Sequence, residues 1–326
     1  MAAFFKSPFF LIISLFLEPK YLSMKNRSLI SINDYTKEQQ IRILELAEEF
    51  ENNPRQNILD KKVISTLFFE PSTRTRLSFE SAISQLGGKI IGFTDASNSS
   101  VSKGETLKDT ITMVANYSDL IVMRHPLDGS ARWASEVSKV PIINAGDGAN
   151  QHPTQCLLDM YSIKKTQGTL DNIHIAFVGD LKYGRTVHSL TMAMSQFNTT
   201  FHLVSPPELK LPSAVKKYIK DAGLEYFQYN ELEAVMDKVD ILYMTRIQKE
   251  RFSDPIEYEK VKNSYILKNE MLAHSKPNMK VLHPLPRVNE IEEAVDQNPM
   301  AYYFQQALNG VYVREALLAY ILGFKD

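Results

Sequence analysis

The sequence predicts an α/β protein of two domains, each a mainly parallel β-sheet flanked by helices, and three observations carry that expectation. Apolar runs of strand length alternate with stretches in which apolar residues recur every three or four positions. The length of 326 residues suits two cores, at about 150 residues per domain. Several of the apolar runs end in clusters of Arg, His, Ser, Thr and Gln, the place where open parallel sheets hold their ligands.

The elements follow in chain order. Phe9 to Leu17 is apolar except for Ser14, yet it falls well short of the roughly 20 residues a bilayer demands. Lys6 precedes it as in a secretion signal, but no small-x-small cleavage pattern follows in Glu18 to Ser23. Residues 1–23 therefore read as an over-long translation start or a dispensable tail rather than a targeting segment. Ile41, Leu44, Ala47 and Phe50 mark the first amphipathic helix. Strand-like runs are expected at 63–69, 120–123, 140–143, 173–178, 201–204, 239–244 and 279–282. Phe79, Ala82, Ile83 and Leu86 give a helix that Gly87-Gly88 stops. A helix over 154–167 ends at Gly168, where a fresh strand–helix series begins and the domains divide. The last helix, over 313–322, puts Val313, Leu317, Tyr320 and Ile321 on one face.

Composition narrows the function. Lys and Arg number 37 against 38 Asp and Glu, a net charge of -1, which argues against a nucleic-acid partner and makes any anion site local. Cys156 is the only cysteine, so an intrachain disulfide framework and a Cys-based zinc cluster are excluded, and a reducing, cytoplasmic setting fits.

The strand exits hold the chemistry. In Ser72-Thr73-Arg74-Thr75-Arg76, Pro71 ends a strand and Ser72 caps a helix, so orphan N–H groups, hydroxyls and Arg74 converge as a phosphate would need. Charge-assisted hydrogen bonds stabilise by roughly 1.5–3 kcal/mol each, so a few would hold a small dianion. In Asp147 to Gln155 a turn enters a helix with Pro153 near its first position, and His152 and Gln155, three apart, can share a face. The imidazole would donate to a polarised carbonyl oxygen. No second ligand stands at metal spacing, so no metal is expected. Gly179 to Arg185 sits where a dinucleotide fingerprint would, but lacks the third glycine and the G-x-G opening; Arg185 remains a candidate anion ligand. Arg246 and Gln248 alternate toward one side beyond another strand, and the Leu285–Pro286 bond is a candidate for cis, a turn able to aim the Leu285 carbonyl into a site. Ser99 to Glu105 has no packing face and reads as a mobile surface loop.

Taken together these stretches resemble the catalytic chain of the aspartate carbamoyltransferase family from about Met24 to the C-terminus. The shared segments are S-T-R-T-R at 72–76, S-x-x-K-G-E at 100–105, M-R-H-P at 123–126, N-Q-H-P-T-Q at 150–155, G-D-L-K-Y-G-R at 179–185, M-T-R-I-Q-K-E-R at 244–251 and V-L-H-P-L-P-R at 281–287. The resemblance implies a carbamoyl-phosphate-binding domain of residues 24–152 plus 304–326 and an aspartate-binding domain of residues 153–303. It implies that Ser72, Thr73, Arg74 and Thr75 hold the phosphate of carbamoyl phosphate. Arg124, His152 and Thr75 would bind its carbonyl oxygen, with Gln155 and the Leu285 backbone near its amino group. Arg185, Arg246 and Gln248 would receive the carboxylates of L-aspartate, and Ser100 and Lys103 would enter from a neighbouring subunit of a homotrimer. No cofactor is implied. The 244–251 stretch and the tail from Tyr302 look most like catalytic chains that take a separate zinc-binding regulatory chain.

Two rivals stand beside this reading. Ornithine carbamoyltransferases share the first-substrate motifs, but a cationic substrate should not meet Arg246, and their typical H-C-L-P turn has Pro284 here in place of Cys. A non-catalytic homologue is the other, and no motif residue is missing to favour it.

Overall fold

The structure, a computed structural model, describes residues 25–95, 99–249, 252 and 254–325. The expected extension over 1–23, and Glu250 and Arg251 of the strand-exit motif, lie outside them.

Among the described residues, all pairings between strands are parallel. The first sheet holds β1 (Val63–Phe68), β2 (Lys89–Phe93), β3 (Leu120–His125) and β4 (Ile142–Asp147) in the order β2-β1-β3-β4. The second holds β5 (His174–Val178), β6 (Thr200–Val204), β7 (Tyr226–Tyr229), β8 (Ile241–Met244) and β9 (Lys280–Leu282) in the order β7-β6-β5-β8-β9. The inner strands are covered on both faces, which is why they read as continuous Val, Ile and Leu runs.

Nine helices are described: α1 (Lys37–Asn52), α2 (Thr73–Gln85), α3 (Leu107–Val114), α4 (Ser130–Val137), α5 (Pro153–Gln167), α6 (Arg185–Met194), α7 (Ser213–Asp221), α8 (Pro255–Val261) and α9 (Tyr303–Ile321). Helix α1 starts at a capping box in which Thr36 accepts from the Gln39 N–H and the Gln39 side chain accepts from the Thr36 N–H. The main core gathers α1, α2, α5, α9 and one face of each sheet. Two further clusters line the opposite faces of the second and first sheets. Helix α9 returns from the second sheet to pack on α1, α2 and α5, so the C-terminus is tied to the N-terminal half. Among the described residues, no helix is long and apolar enough to cross a membrane.

Several expectations are corrected. Strand β3 continues two residues further, to His125, which puts Arg124 inside the strand. Strand β4 is displaced toward the C-terminus and carries buried Asn144 and Asp147, whose polarity hid it. They satisfy one another: Asn144 Nδ2 donates to Asp147 Oδ1 at 2.9 Å, and Asn144 Oδ1 accepts from Gly146 N–H at 2.8 Å. Strands β2 and β7 were not expected. Helix α9 begins ten residues before the expected start at 313. The segment expected as a structureless loop contains a short 3-10 helix, Ser100–Lys103, closed by Gly104 at φ 91°.

Candidate active site

The ends of β1, β3 and β4 in one sheet, and of β5, β8 and β9 in the other, supply the polar clusters. At their centre stands Glu70, two residues past β1. Its Oε1 pairs with Arg124 Nε at 2.7 Å and lies 3.5 Å from Arg185 Nη2. Arg124 comes from β3 and Arg185 opens α6, so one carboxylate bridges guanidinium groups from the two sheets. Arg185 Nη1 also donates to the Gly148 carbonyl. Both guanidiniums close over Gly146, whose φ is +117° and whose missing Cβ would lie 3.3 Å from Arg124 Nη1 and Arg185 Cζ. Glu70 had drawn no attention in the sequence, although it stands directly beside the Ser72–Arg76 cluster.

The site is short of negative charge. Burial, and then Arg185, push the Arg124 pKa down to about 10 against the pull of Glu70; Arg74 adds to the repulsion. Arg124 stays cationic at neutral pH. Burial and then Arg246 lower the Arg74 pKa as well. Repulsion thus links the four arginines in series, Arg246 to Arg74, Arg74 to Arg124 and Arg124 to Arg185, an arrangement that favours an anion.

Ser72 occupies the N-cap of α2 as expected, but its hydroxyl does not cap the helix. Among the described residues, the side chains of Ser72, Thr73, Arg74 and Thr75 make no hydrogen bond or ion pair, so four donors stand at the start of a helix beside the arginine cluster. Thr75 is buried and the other three are at least partly exposed.

His152 is the N-cap of α5, where its Nδ1 accepts from the Gln155 N–H at 3.4 Å. Burial pushes its pKa well below 6.5, and Arg185, Arg124 and Arg314 push the same way. The imidazole is therefore neutral. With Nδ1 accepting, its proton sits on Nε2, which makes that atom a donor. Gln155 donates its Nε2 to Asp159 Oδ1 at 2.9 Å. Asp159 is fully buried, and burial raises its pKa to about 7 against the pull of Gln306, Tyr243, Gln155 and Arg314. It too was missed, although an acid inside the apolar stretch Cys156 to Ile163 was a visible signal.

Thr245 Oγ1 donates to the Val178 carbonyl at 2.8 Å, locking the exit of β8 to that of β5. Arg246 follows it. Gln248 donates to the Tyr183 carbonyl at 3.3 Å, close to the start of α6 and Arg185. The Leu285–Pro286 bond is cis, as anticipated, and Leu285 has φ 53°. Ser100 and Lys103 are not brought to the cluster: both are exposed and, among the described residues, share no hydrogen bond or ion pair with it. Cys156 is buried in α5 as a small core residue. Among the described residues, no group of three or more His, Cys, Asp or Glu could hold a metal ion.

Residues 27–165 match the family model for the carbamoyl-P binding domain of aspartate/ornithine carbamoyltransferases, and residues 171–321 match that for the Asp/Orn binding domain. The chain belongs to the aspartate/ornithine carbamoyltransferase family. Within it, the chain is 62% identical over 301 residues to the aspartate carbamoyltransferase catalytic subunit of Phocaeicola vulgatus, covering 92% of this chain and 96% of that one. Identity to the catalytic subunit from Chromobacterium violaceum is 53% over 299 residues, with coverages of 92% and 99%. Among solved structures, the catalytic subunit of M. jannaschii aspartate transcarbamoylase matches with a TM-score of 0.85 and 50% identity over 92% of this chain and 99% of that one. Aspartate transcarbamoylase from Trypanosoma cruzi, solved with carbamoyl phosphate and aspartate, matches with a TM-score of 0.88 and 37% identity over 92% and 98%. The resemblance read from the motifs is thereby borne out, and so is the α/β fold with two parallel sheets.

Proposed function

We infer that this carbamoyltransferase moves the carbamoyl group of carbamoyl phosphate to the α-amine of L-aspartate, giving N-carbamoyl-L-aspartate and phosphate, an early step of de novo pyrimidine biosynthesis. The observation that carries the reading is the convergence of Arg74, Arg124, Arg185 and Arg246, with neutral His152, where strands of both sheets end. Two anionic reactants repel one another. A cleft that offsets that repulsion and holds both in register contributes about 7–11 kcal/mol to the reaction through positioning alone.

The roles follow from the donor types. Ser72, Thr73, Arg74 and Thr75 receive the phosphate. The amine attacks the carbamoyl carbon, a C–N bond forms, and the carbonyl oxygen gains negative charge toward Arg124, His152 Nε2–H and Thr75. The C–O bond to phosphate then breaks, and the departing phosphate takes the amine proton. Gln155 and the Leu285 carbonyl face the carbamoyl amino group, while Arg185, Arg246 and Gln248 bind the aspartate carboxylates. Glu70 orients Arg124 and Arg185 before substrate arrives. No side chain serves as a covalent nucleophile, and the reaction calls for no cofactor.

The same reading gives the carbamoyl phosphate site to residues 24–152 plus 304–326 and the aspartate site to residues 153–303. It brings Ser100 and Lys103 in from a neighbouring chain of a cytoplasmic homotrimer, and allows a separate zinc-binding regulatory chain. The exposure of Ser100 and Lys103 supports the first of these. The test is carbamoyl transfer to L-aspartate and to ornithine in parallel: product with aspartate alone is expected, and product with ornithine only, or with neither, would defeat the assignment. Light scattering of the purified chain checks the trimer.

A further inference from the structure

We propose that Asp159 is a positioning residue that selects the amino group of the carbamoyl donor, by turning the nitrogen of the Gln155 amide inward and its oxygen toward the substrate. The inference rests on the reading that Gln155 and the Leu285 carbonyl meet that amino group.

Asp159 lies one turn after Gln155 on α5 and is inaccessible to solvent. Three donors surround it: Gln155 Nε2 at 2.9 Å and Gln306 Nε2 at 2.6 Å on Oδ1, and Tyr243 O–H at 2.7 Å on Oδ2. They come from α5, α9 and β8. An ionised carboxylate only accepts, so each neighbour must present a hydrogen. For Gln155 this leaves a single amide orientation. Its Oε1 then has no hydrogen-bond partner among the described residues, while the residue keeps 8% of its surface open.

The same carboxylate reaches the Leu285 turn. With its nitrogen on Asp159, Gln306 must offer its Oε1, which accepts from the His283 N–H at 2.8 Å. His283 Nε2 pairs with Glu290 at 2.7 Å, and its Nδ1 accepts from the Leu285 N–H at 2.7 Å. One unbroken chain of contacts, buried as far as His283, therefore runs from Gln155 through Asp159, Gln306 and His283 to Leu285. It sets two acceptors, the Gln155 amide oxygen and the Leu285 carbonyl, for a group with two hydrogens to give. A carbamoyl NH2 satisfies both. The methyl of acetyl phosphate satisfies neither, and leaving paired groups unmet is the strongest form of small-molecule discrimination. With Leu at 159, similar in size but without an acceptor, nothing holds the Gln155 nitrogen inward, and the amide orientation is no longer fixed.

The experiment uses the full chain, as purified, at pH 8.5, where Asp159 is ionised. The KM for carbamoyl phosphate and the Ki of acetyl phosphate as its competitor are measured for wild type and Asp159→Leu. Wild type must first form N-carbamoyl-L-aspartate; if it makes none, the underlying reading falls and this inference falls with it. In an active background, Asp159→Leu should raise the KM at least tenfold and change the Ki less than threefold. A general loss of packing moves both constants together, so equal shifts, or no shift in either, would overturn the proposal. Should Asp159→Leu not fold, Gln306→Met interrupts the relay to Leu285: a ratio of Ki to KM lowered about threefold supports the proposal, and an unchanged ratio refutes it.

Discussion

Two polar regions lie within a few residues of one another and follow opposite rules. At the strand exits, Arg74, Arg124, Arg185 and Arg246 crowd together with Glu70 as the shared counter-charge. Around Asp159, which is closed to solvent, Gln155, Gln306 and Tyr243 each donate to the carboxylate. The first region stores unbalanced positive charge that only anions relieve, so it governs binding and the developing oxyanion. The second is closed and balanced, so it governs which way amide groups point. Charge and orientation are thus assigned to different residues.

Substitutions sharpen that contrast. Arg124→Ala should lower kcat about 10³-fold, at the upper end for loss of one oxyanion donor, with the far-UV spectrum unchanged; near-normal turnover would remove Arg124 from that role. Arg246→Ala should raise the KM for aspartate by about 10- to 100-fold, the loss of one charge-assisted bond, while the KM for carbamoyl phosphate stays close to wild type. Steady-state kinetics with each substrate varied separates the two.

The balanced region should reveal itself through stability. Asp159 has a folded pKa of about 7 against an ordinary 3.8. Between those values the folded protein keeps a proton that the unfolded chain has lost, so stability falls as pH rises. Asp159→Asn has no proton to keep, and urea unfolding should show wild type gaining about 2 kcal/mol on the variant between pH 8.5 and pH 5.5. Glu70→Gln, back in the cationic region, should cost about tenfold in kcat/KM, because Arg124 and Arg185 lose their common brace but keep their charge. The smallest effect is none. With its pKa held well below 6.5, His152 stays neutral, and kcat should show no step from it between pH 6 and pH 8; an acid limb there that His152→Gln abolishes would contradict the neutral donor.

What the sequence revealed follows the same division. The inner strands were legible because burial on two faces leaves unbroken apolar runs. Strands β2 and β7 were not, because each is the edge of its sheet: Ile91 and Phe227 face solvent at 40% and 45% exposure, so no core-like run marks them. The early half of α9 was hidden for another reason. Gln306 and Asn309 are buried there as hydrogen-bond partners of Asp159 and Ser162, and polar residues at buried positions erase the apolar period. The cationic residues stood out because charge at a strand exit is unusual in itself. Glu70 and Asp159 did not, since a lone acid shows its role only when its partners, distant in sequence, are brought beside it.

The sharpest test of a shared cleft is calorimetric titration with N-(phosphonacetyl)-L-aspartate, which carries a phosphonate and the aspartate carboxylates in one molecule. One ligand per chain is expected, with affinity reduced at least tenfold by Arg74→Ala and, separately, by Arg246→Ala, since the ligand must touch cations on both sheets. Binding that either variant leaves intact would mean the two sets of arginines do not face a common cleft.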